Sequence, residues 1–224
     1  MVKRKVAWEF YIISAFITLL ILFVGFYFGI TLSREKIQEL QNELDNLKLR
    51  QEDLTLELTL LALNKNISCD AIGFELEKVI GDAADLGDRV TIYEITEKVK
   101  DESFYNLKKD YTLILVRYWT YLEEMKKSCN RTDVVTILYF YSNTNCQNCQ
   151  GQGVVLTNLK QTYPQNIMVF ALDYDIDLNI ISLLKKNYNV SSVPSLVING
   201  KVYGGLITIE RLRQIVCTEH GLCG

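Results

Sequence analysis

The amino-terminal part of the chain is predicted to cross a membrane once. Residues 10–32 contain no charged side chain and are apolar on every face of a helix. A helix of this length spans a bilayer core of about 30 Å, whereas a cleaved signal peptide has a shorter apolar core and a small-residue cleavage site. Lys3, Arg4 and Lys5 precede the span, and positive charge favours the cytoplasmic side. The pattern therefore predicts a cytoplasmic segment 1–9, a transmembrane signal anchor in the cell membrane and an extracytoplasmic remainder.

After the span, apolar residues recur at alternating intervals of three and four, which is a heptad repeat. The repeat consists of Ile37, Leu40, Leu44, Leu47, Leu54, Leu58 and Leu61, with the polar Gln51 at the remaining core position. Leucine at one core position and a single polar residue at the other favour a parallel coiled coil of two helices. The pattern predicts a coiled-coil stalk over 33–64 and a parallel homodimer through residues 37–61. The alternative is that this helix packs on later helices of its own chain.

Residues 65–131 have a helical pattern and are predicted to form a small helical module. One helix covers about 102–127, and an earlier one is expected to end in a glycine-containing connection at 81–88. Cys69 and Cys129 flank the module. If the helices form an antiparallel hairpin, these two cysteines meet in a structural disulfide. Closing a loop of about 60 residues in this way stabilises a fold by about 4 kcal/mol in the chain-entropy model.

Residues 132–217 change to an alternation of strands and helices. Val134 begins a run of β-branched and aromatic residues that is typical of a buried strand. A helical segment, a second buried strand and another helix follow, and then a hairpin that turns on Asn199 and Gly200. The pattern predicts an α/β fold with the order β-α-β-α-β-β-α.

Two motifs in this segment carry a family resemblance. Cys146-Gln147-Asn148-Cys149 follows the first strand, and Pro194 precedes the third strand within the stretch YNVSSVPSLVINGKVYGG. In this order and spacing the segment resembles the thioredoxin superfamily. The resemblance implies a thioredoxin-like fold in which the peptide bond before Pro194 is cis and faces the cysteine pair. A valine before that proline, here Val193, resembles the pattern of Dsb-type oxidases more than that of cytoplasmic thioredoxins. Together with the predicted anchor, the chain therefore resembles a membrane-anchored, Dsb-like protein.

The resemblance implies a thiol–disulfide oxidoreductase that needs no cofactor. Cys146, at the first turn of a helix, is the expected nucleophile, because unpaired N–H groups there lower the pKa of a thiol. Cys149, one turn further on, is the expected resolving thiol that attacks the mixed disulfide. Ser192, Val193 and Pro194 are expected to form the substrate groove by offering backbone groups to an extended substrate.

The sequence departs from thioredoxins proper near the pair. Asn145 stands where they carry a tryptophan, and Phe140 stands where they carry a buried aspartate. Asp173 and Asp175 follow the second strand, and we expect them to cap the next helix. Oxidation or disulfide exchange of exported proteins is favoured over reduction for cytochrome maturation. The expected partners are protein thiols or disulfides and a membrane redox partner that recycles the pair.

Composition limits the other function classes. A formal net charge of −3 offers no electrostatic reason to bind nucleic acid. Six cysteines, an even number, suit an oxidising compartment. Cys217 and Cys223 are predicted to form a second structural disulfide, a small loop that staples the last helix and includes the tail, residues 218–224.

Two alternatives use the same features differently. A zinc site would combine the cysteine pair with Cys217, His220 and Cys223, but it leaves the strand-helix context and Pro194 unexplained, so no metal is predicted. A non-catalytic adaptor would use the coiled coil and the thioredoxin-like domain to bind client proteins. An exposed Cys146 above a buried Cys149 favours the enzyme over the adaptor.

Overall fold

The structure is a computed structural model that describes residues 8–63, 69–97, 102–129 and 133–218. The chain divides into two compact units, residues 1–42 and residues 43–224. Helix α1 (Trp8–Leu63) begins in the first unit and ends in the second.

The first unit contains the apolar part of α1. The stretch Phe10–Tyr27 has a mean hydropathy of 2.3, and none of it is buried. The hydroxyl of Thr18 donates to the carbonyl of Ser14 at 2.8 Å, so this polar group is satisfied within the helix, as a bilayer requires. Among the residues that the structure describes, one helix is long and apolar enough to cross a membrane, and it is this part of α1.

The second unit opens with three helices that pack on one another: the rest of α1, α2 (Cys69–Glu97) and α3 (Glu102–Ser128). The heptad positions of α1 in this unit that are buried are Leu44, Leu47, Gln51 and Leu54. Tyr118 of α3 donates its hydroxyl to the carbonyl of Leu47 at 2.9 Å. These four positions are therefore covered by helices of the same chain, which is the alternative that the heptad pattern left open. The parallel homodimer stays a prediction.

Helix α2 runs without a break through the glycines that were expected to end its first part. A Cβ atom on Gly87 would clash with the hydroxyl group of Tyr111. That hydroxyl donates to the carbonyl of Ala83 at 2.9 Å. The prediction of a connection at 81–88 is wrong, because Gly87 makes room for a tyrosine of the neighbouring helix instead of ending its own.

A disulfide joins the start of α2 to the end of α3. Cys69 and Cys129 are bonded, their Cα atoms are 5.9 Å apart and they are 60 positions apart in sequence. The bond closes the antiparallel pair of helices at the end from which the chain continues into the sheet. We call α2, α3 and residues 43–63 of α1 the helical module from here on.

The remaining elements are four strands and three helices in the part of the chain that the structure describes. They are β1 (Val135–Tyr141), α4 (Cys149–Thr162), β2 (Ile167–Asp173), α5 (Asn179–Asn187), β3 (Ser195–Ile198), β4 (Lys201–Gly204) and α6 (Ile209–Thr218). The sheet has the order β2-β1-β3-β4, in which β2 is parallel to β1 and the other pairs are antiparallel. This confirms the predicted order β-α-β-α-β-β-α.

The core lies on both sides of β1. One face of the sheet packs against α4 and α6 through residues such as Ile137, Leu156 and Ile215, and α3 of the helical module contacts β2. The antiparallel β3–β4 pair turns where both Asn199 and Gly200 have positive φ angles, 44° and 88°, as a two-residue hairpin requires.

Strand directions bring several chain segments to one edge of the sheet. Tyr141 and Asp173 are the last residues of the parallel strands β1 and β2 and lie opposite each other. Because β3 is antiparallel to β1, it begins at this same edge, with Ser195 opposite Phe140. We call this the carboxyl edge of the sheet.

Candidate active site

Two cysteines form a disulfide where the chain leaves the carboxyl edge. Cys146 and Cys149 are bonded, with their Cα atoms 5.4 Å apart. The side chain of Cys149 is buried at 5% exposure, whereas Cys146 is half-buried. An incoming group therefore reaches the sulfur of Cys146 more readily than that of Cys149.

Helix α4 begins at Cys149, and Cys146 precedes it instead of occupying its first turn. Gln147 and Asn148 form a turn, and Asn148 is the N-cap residue without a side-chain cap hydrogen bond. Asparagine side chains compete with helical hydrogen bonding and are favoured at caps and turns. The amino end of the 14-residue α4 still directs its positive dipole end toward the pair.

Tyr139 of β1 holds the first residue of α4. Its hydroxyl donates to the carbonyl oxygen of Cys149 at 2.6 Å. Burial raises the pKa of Tyr139 well above its usual value, so the phenol remains a proton donor at physiological pH. No pattern in the sequence points to this contact, because an aromatic residue in a buried strand is expected from packing alone.

The segment before β3 lies at the same carboxyl edge. The Val193–Pro194 peptide bond is cis, and Pro194 immediately precedes the Ser195 that pairs with Phe140. Gly205 donates its N–H to the carbonyl of Pro194 at 2.8 Å. Ser192 is exposed, Val193 is half-buried and Pro194 is buried, so the outer part of this segment is accessible.

The loop that leads from β1 to Cys146 is anchored by Asp175. The carboxylate of Asp175 accepts hydrogen bonds from the hydroxyls of Ser142 and Thr144, the second at 3.2 Å. The hydroxyl oxygen of Ser142 also accepts from the backbone N–H of Asn145 at 3.1 Å. These bonds order the backbone just before the nucleophile.

The same loop is held by the helical module. Asn143 donates its side-chain N–H to Oε2 of Glu94, on α2, at 2.7 Å. The other oxygen of Glu94 accepts from Nζ of Lys108, on α3, at 2.7 Å. One carboxylate thus bridges the cysteine loop and a lysine of the helical module.

Lys108 is a buried cation between two carboxylates. Its side chain is 7% exposed, and it pairs with Asp173 at the end of β2 as well as with Glu94. Burial by itself would lower the pKa of Lys108, but attraction and hydrogen bonds to Asp173 and Glu94 outweigh it and raise the pKa above its usual value. Nζ also lies 5.8 Å from the ring centroid of Tyr141. A buried charge is tolerated in this way only when it is paired and hydrogen-bonded.

The expectation that Asp173 and Asp175 cap the next helix is wrong. The N-cap residue of α5 is Leu178, and no side chain caps it. Asp173 faces Lys108 and Asp175 faces the cysteine loop. Both carboxylates instead bind partners from distant parts of the chain, Asp173 in an ion pair and Asp175 in hydrogen bonds. Sequence spacing could not reveal these partners.

The other cysteines lie apart from this site. Cys69 and Cys129 are bonded to each other in the helical module. Cys217, on α6, takes part in a disulfide, and its predicted partner Cys223 lies outside the described residues, as does His220. The zinc alternative needs the sulfurs of Cys146 and Cys149 as free ligands, whereas here they are bonded to each other.

Glu94 and Lys108 are the site residues that sequence reasoning missed. Lys108 lies on the predicted helix at about 102–127, whereas Glu94 lies between the predicted helices, and in both places a charged side chain is usually solvated. Lys108 follows the buried Leu107 on α3, and a lysine beside an apolar helix position was the one local sign that its charge is buried.

Comparison with known proteins agrees with the fold and the cysteine pair. Residues 135–216 match the family model described as a thioredoxin domain. This segment is a thioredoxin-superfamily domain, preceded by helices that the match does not cover. A CxxC pair in such a domain suggests a thiol–disulfide redox function. Among curated proteins, none matches this chain.

Solved thioredoxin structures resemble the same part of the chain. Thioredoxin O2 from Arabidopsis thaliana in the oxidised state is 22% identical over 39% of this chain and 76% of its own, with a TM-score of 0.33. The germline-specific thioredoxin Deadhead from Drosophila is 19% identical over 45% and 92%, with a TM-score of 0.34. Mitochondrial thioredoxin 3 from Saccharomyces cerevisiae, in the oxidised form, is 24% identical over 45% and 87%, with a TM-score of 0.29. Likenesses of this size establish nothing about what this chain does.

Proposed function

We propose that this protein is a membrane-anchored thiol–disulfide oxidoreductase that acts on exported proteins outside the cytoplasm. The observation that carries the proposal is the Cys146–Cys149 disulfide, which lies at the amino end of α4 with the second sulfur buried and the first accessible. The accessible segment before β3 lies at the same edge of the sheet. This arrangement favours an enzyme over an adaptor, which has no use for two sulfurs of unequal access.

The proposed reaction is a pair of thiol–disulfide exchanges at Cys146. A substrate thiolate attacks Sγ of Cys146, a mixed disulfide forms, and Cys149 leaves as a thiolate. A second thiolate of the substrate then attacks the substrate sulfur of the mixed disulfide, and Cys146 leaves. The substrate loses two electrons and gains a disulfide, and the cysteine pair gains those electrons. The reverse order, in which Cys149 attacks the mixed disulfide, reduces a substrate instead.

Several groups favour this chemistry at Cys146. The amino end of α4 stabilises a thiolate by its dipole, and Tyr139 holds the backbone of Cys149 in place. Ser192 and Val193 offer backbone groups to an extended substrate segment at the carboxyl edge, in the manner of strand addition. Pro194, which lacks an N–H group, ends this accessible stretch at the start of β3.

The proposed location follows from the apolar stretch of α1 and its flanking charges. Phe10–Tyr27 would anchor the chain, and the cations at residues 3–5 would keep the amino terminus in the cytoplasm. An extracytoplasmic redox domain encounters thiols of exported proteins, and oxidation or exchange of these is the direction we favour. A membrane redox partner then removes the two electrons from the reduced pair.

The reaction is tested by trapping its intermediate. In cells that express the full-length protein, Cys149→Ser should accumulate mixed disulfides between Cys146 and other proteins, since the resolving thiol is gone. They are detected as adducts on non-reducing gels that vanish with dithiothreitol. Cys146→Ser is the matched control and should form none. The proposed oxidoreductase function is rejected if Cys149→Ser forms no adducts and purified wild type neither oxidises dithiols nor reduces disulfides.

The location is tested by labelling lysines of intact cells with a membrane-impermeant amine reagent. Lys127 and Lys186 are exposed in the second unit and should carry the label in mass spectra of the isolated protein. Lys3 and Lys5 should carry it only after the cells are opened. Labelling of the amino-terminal lysines in intact cells, with Lys127 and Lys186 protected, means the opposite orientation.

A further inference from the structure

The cysteine loop has a polar contact to a part of the chain outside the thioredoxin domain. Asn143 lies three positions before Cys146 and donates to Glu94 of α2 at 2.7 Å. Glu94 lies close to the end of α2 at Glu97. The amino acids on either side of Asn143 are held from the other direction, by Asp175. The loop is therefore clamped between the turn after β2 and the helical module.

The position of Glu94 is itself determined by a buried ion pair. Its Oε1 atom accepts from Nζ of Lys108 at 2.7 Å, while Oε2 accepts from Asn143. Lys108 is fixed in turn by Asp173, the last residue of β2. Glu94 has a side chain only 22% exposed, so the carboxylate is directed inward to these partners. We call Glu94, Lys108, Asn143 and Asp173 the carboxyl-edge cluster.

A second cluster links the helical module to the opposite edge of the sheet. Glu123 of α3 accepts from the hydroxyl of Thr136 at 2.5 Å and pairs with Lys126 at 3.3 Å. Lys126 also donates to the side-chain oxygen of Asn199 at 3.0 Å. We call Glu123, Lys126, Thr136 and Asn199 the amino-edge cluster. It has the same chemistry as the first cluster, a module carboxylate shared by a lysine and a sheet-domain side chain, but lies at the start of β1.

We propose, resting on the proposed function, that the carboxyl-edge cluster has a role in the reaction. Its members Glu94 and Asn143 are positioning residues, through which the helical module sets the location of Cys146. Thiol–disulfide exchange requires the attacking and leaving sulfurs to be aligned on the sulfur under attack. A small misplacement of a reacting group, of about 1 Å, can cost up to about 100-fold in rate. Lys108 and Asp173 act one step further away, by holding Glu94.

The test uses full-length protein in detergent and two measurements. The first is the rate of exchange between Cys146–Cys149 and a dithiol peptide. The second is the equilibrium of the pair with reduced and oxidised glutathione. Glu94→Gln removes the charge that Asn143 and Lys108 share, and Asn143→Asp sets a carboxylate against Glu94. Each is expected to slow exchange about tenfold and to shift the glutathione equilibrium about threefold, which is about 14 mV for this two-electron couple.

A double variant separates positioning from simple damage. Asn143→Asp combined with Glu94→Gln restores a donor and an acceptor with their roles exchanged, so it should recover most of the rate and of the equilibrium constant. Glu123→Gln makes the same change in the amino-edge cluster and should leave both quantities as in wild type. Asn143→Ala, at an exposed loop position, removes the donor without adding charge and should behave like Asn143→Asp.

The proposal is overturned if Glu94→Gln and Asn143→Asp match wild type in rate and equilibrium, or if the double variant is no better than the sum of the single ones. It is equally overturned if Glu123→Gln shifts the equilibrium as much as Glu94→Gln does. A wild type that exchanges no disulfide with any dithiol rejects the proposed function instead. The equilibrium with glutathione, a monothiol, still decides the positioning role in that case, since it is measured without any dithiol substrate.

Discussion

The two edges of the sheet are tied to the helical module by similar residues, yet only one of them carries the cysteine pair. At the carboxyl edge the shared lysine, Lys108, is 7% exposed and has two carboxylate partners. At the amino edge the corresponding Lys126 is 13% exposed, and its partners are Glu123, which is 28% exposed, and an amide. The edge that holds the cysteine pair is thus the more completely buried and the more highly charged.

The disulfides at the two edges differ in the length of chain that each one encloses. Cys69–Cys129, which lies where the chain enters the amino edge, joins residues 60 positions apart. Cys146–Cys149 at the carboxyl edge joins residues three positions apart. A long closed loop restricts the unfolded chain far more than a short one. The comparison indicates that the Cys69–Cys129 bond contributes more to keeping the chain folded than the Cys146–Cys149 bond does.

The largest expected effect is therefore on stability when the two disulfides are removed separately. Replacing both Cys69 and Cys129 by alanine should lower the free energy of unfolding by about 4 kcal/mol, and replacing both Cys146 and Cys149 should lower it by about 2 kcal/mol. Denaturant unfolding of the full-length protein in detergent measures both. Equal losses from the two double variants would contradict the division between a structural and an exchangeable bond.

The next effect in size compares the two lysines. Lys108→Met leaves two carboxylates at the carboxyl edge without their cation and should cost about 3 kcal/mol, the lower end for a broken buried pair. Lys126→Met removes one hydrogen-bonded charge at the amino edge and should cost about 1.5 kcal/mol. The same unfolding experiment is used for both. A loss from Lys126→Met that exceeds that from Lys108→Met would reverse the comparison.

A smaller change is expected with pH, because the pKa of Lys108 is raised in the folded chain. Its contribution is fully present below the usual pKa of lysine, about 10.4, and is lost as the pH rises through the raised value. The stability difference between wild type and Lys108→Met should therefore stay constant from neutral pH to about 10 and shrink above it. The groups that face this position, Tyr141, Asp173 and Glu94, are present in both proteins. A difference that shrinks already below pH 9 contradicts this assignment.

The smallest effect separates two buried tyrosines that each donate to a carbonyl. Tyr139→Phe frees the carbonyl of Cys149, and Tyr118→Phe frees that of Leu47; each should cost about 1 kcal/mol of stability. Only Tyr139→Phe should also change the exchange rate of the cysteine pair, because its partner is the proposed resolving residue. Equal exchange rates in both variants and wild type limit Tyr139 to a packing role.

Much of the fold was predictable because its signals are local. The apolar stretch, the strand runs and the Asn199-Gly200 turn each depend on residues within one element, and the structure has them as expected. The α3 helix was expected at about 102–127 and is found at Glu102–Ser128. The glycines of α2 were misread because a glycine looks the same in a sequence whether it ends a helix or admits a neighbour. Only the approach of Tyr111 distinguishes the two.

The candidate site divides in the same way. Cys146, Cys149 and Pro194 stand in a motif whose order along the chain already indicates a thioredoxin domain. Glu94, Lys108 and Asp173 are 14 and 65 positions apart, and no pattern connects residues so distant when each is an ordinary charged side chain. The heptad repeat of α1 could be predicted to form an apolar stripe. The surface that it packs against could not be predicted, since a leucine stripe fits a second chain and a neighbouring helix equally well.

Periodicity and short motifs encode the apolar amino-terminal stretch, the helical middle and the thioredoxin-like domain with its cysteine pair, so these features could be predicted from local patterns alone. Only the tertiary structure decided what covers the leucines of α1, where α4 begins, and which carboxylates meet Lys108. These depend on which distant surfaces come together, and burial then selects the partners, since an inward-facing charge such as Lys108 is stable only beside an opposite one.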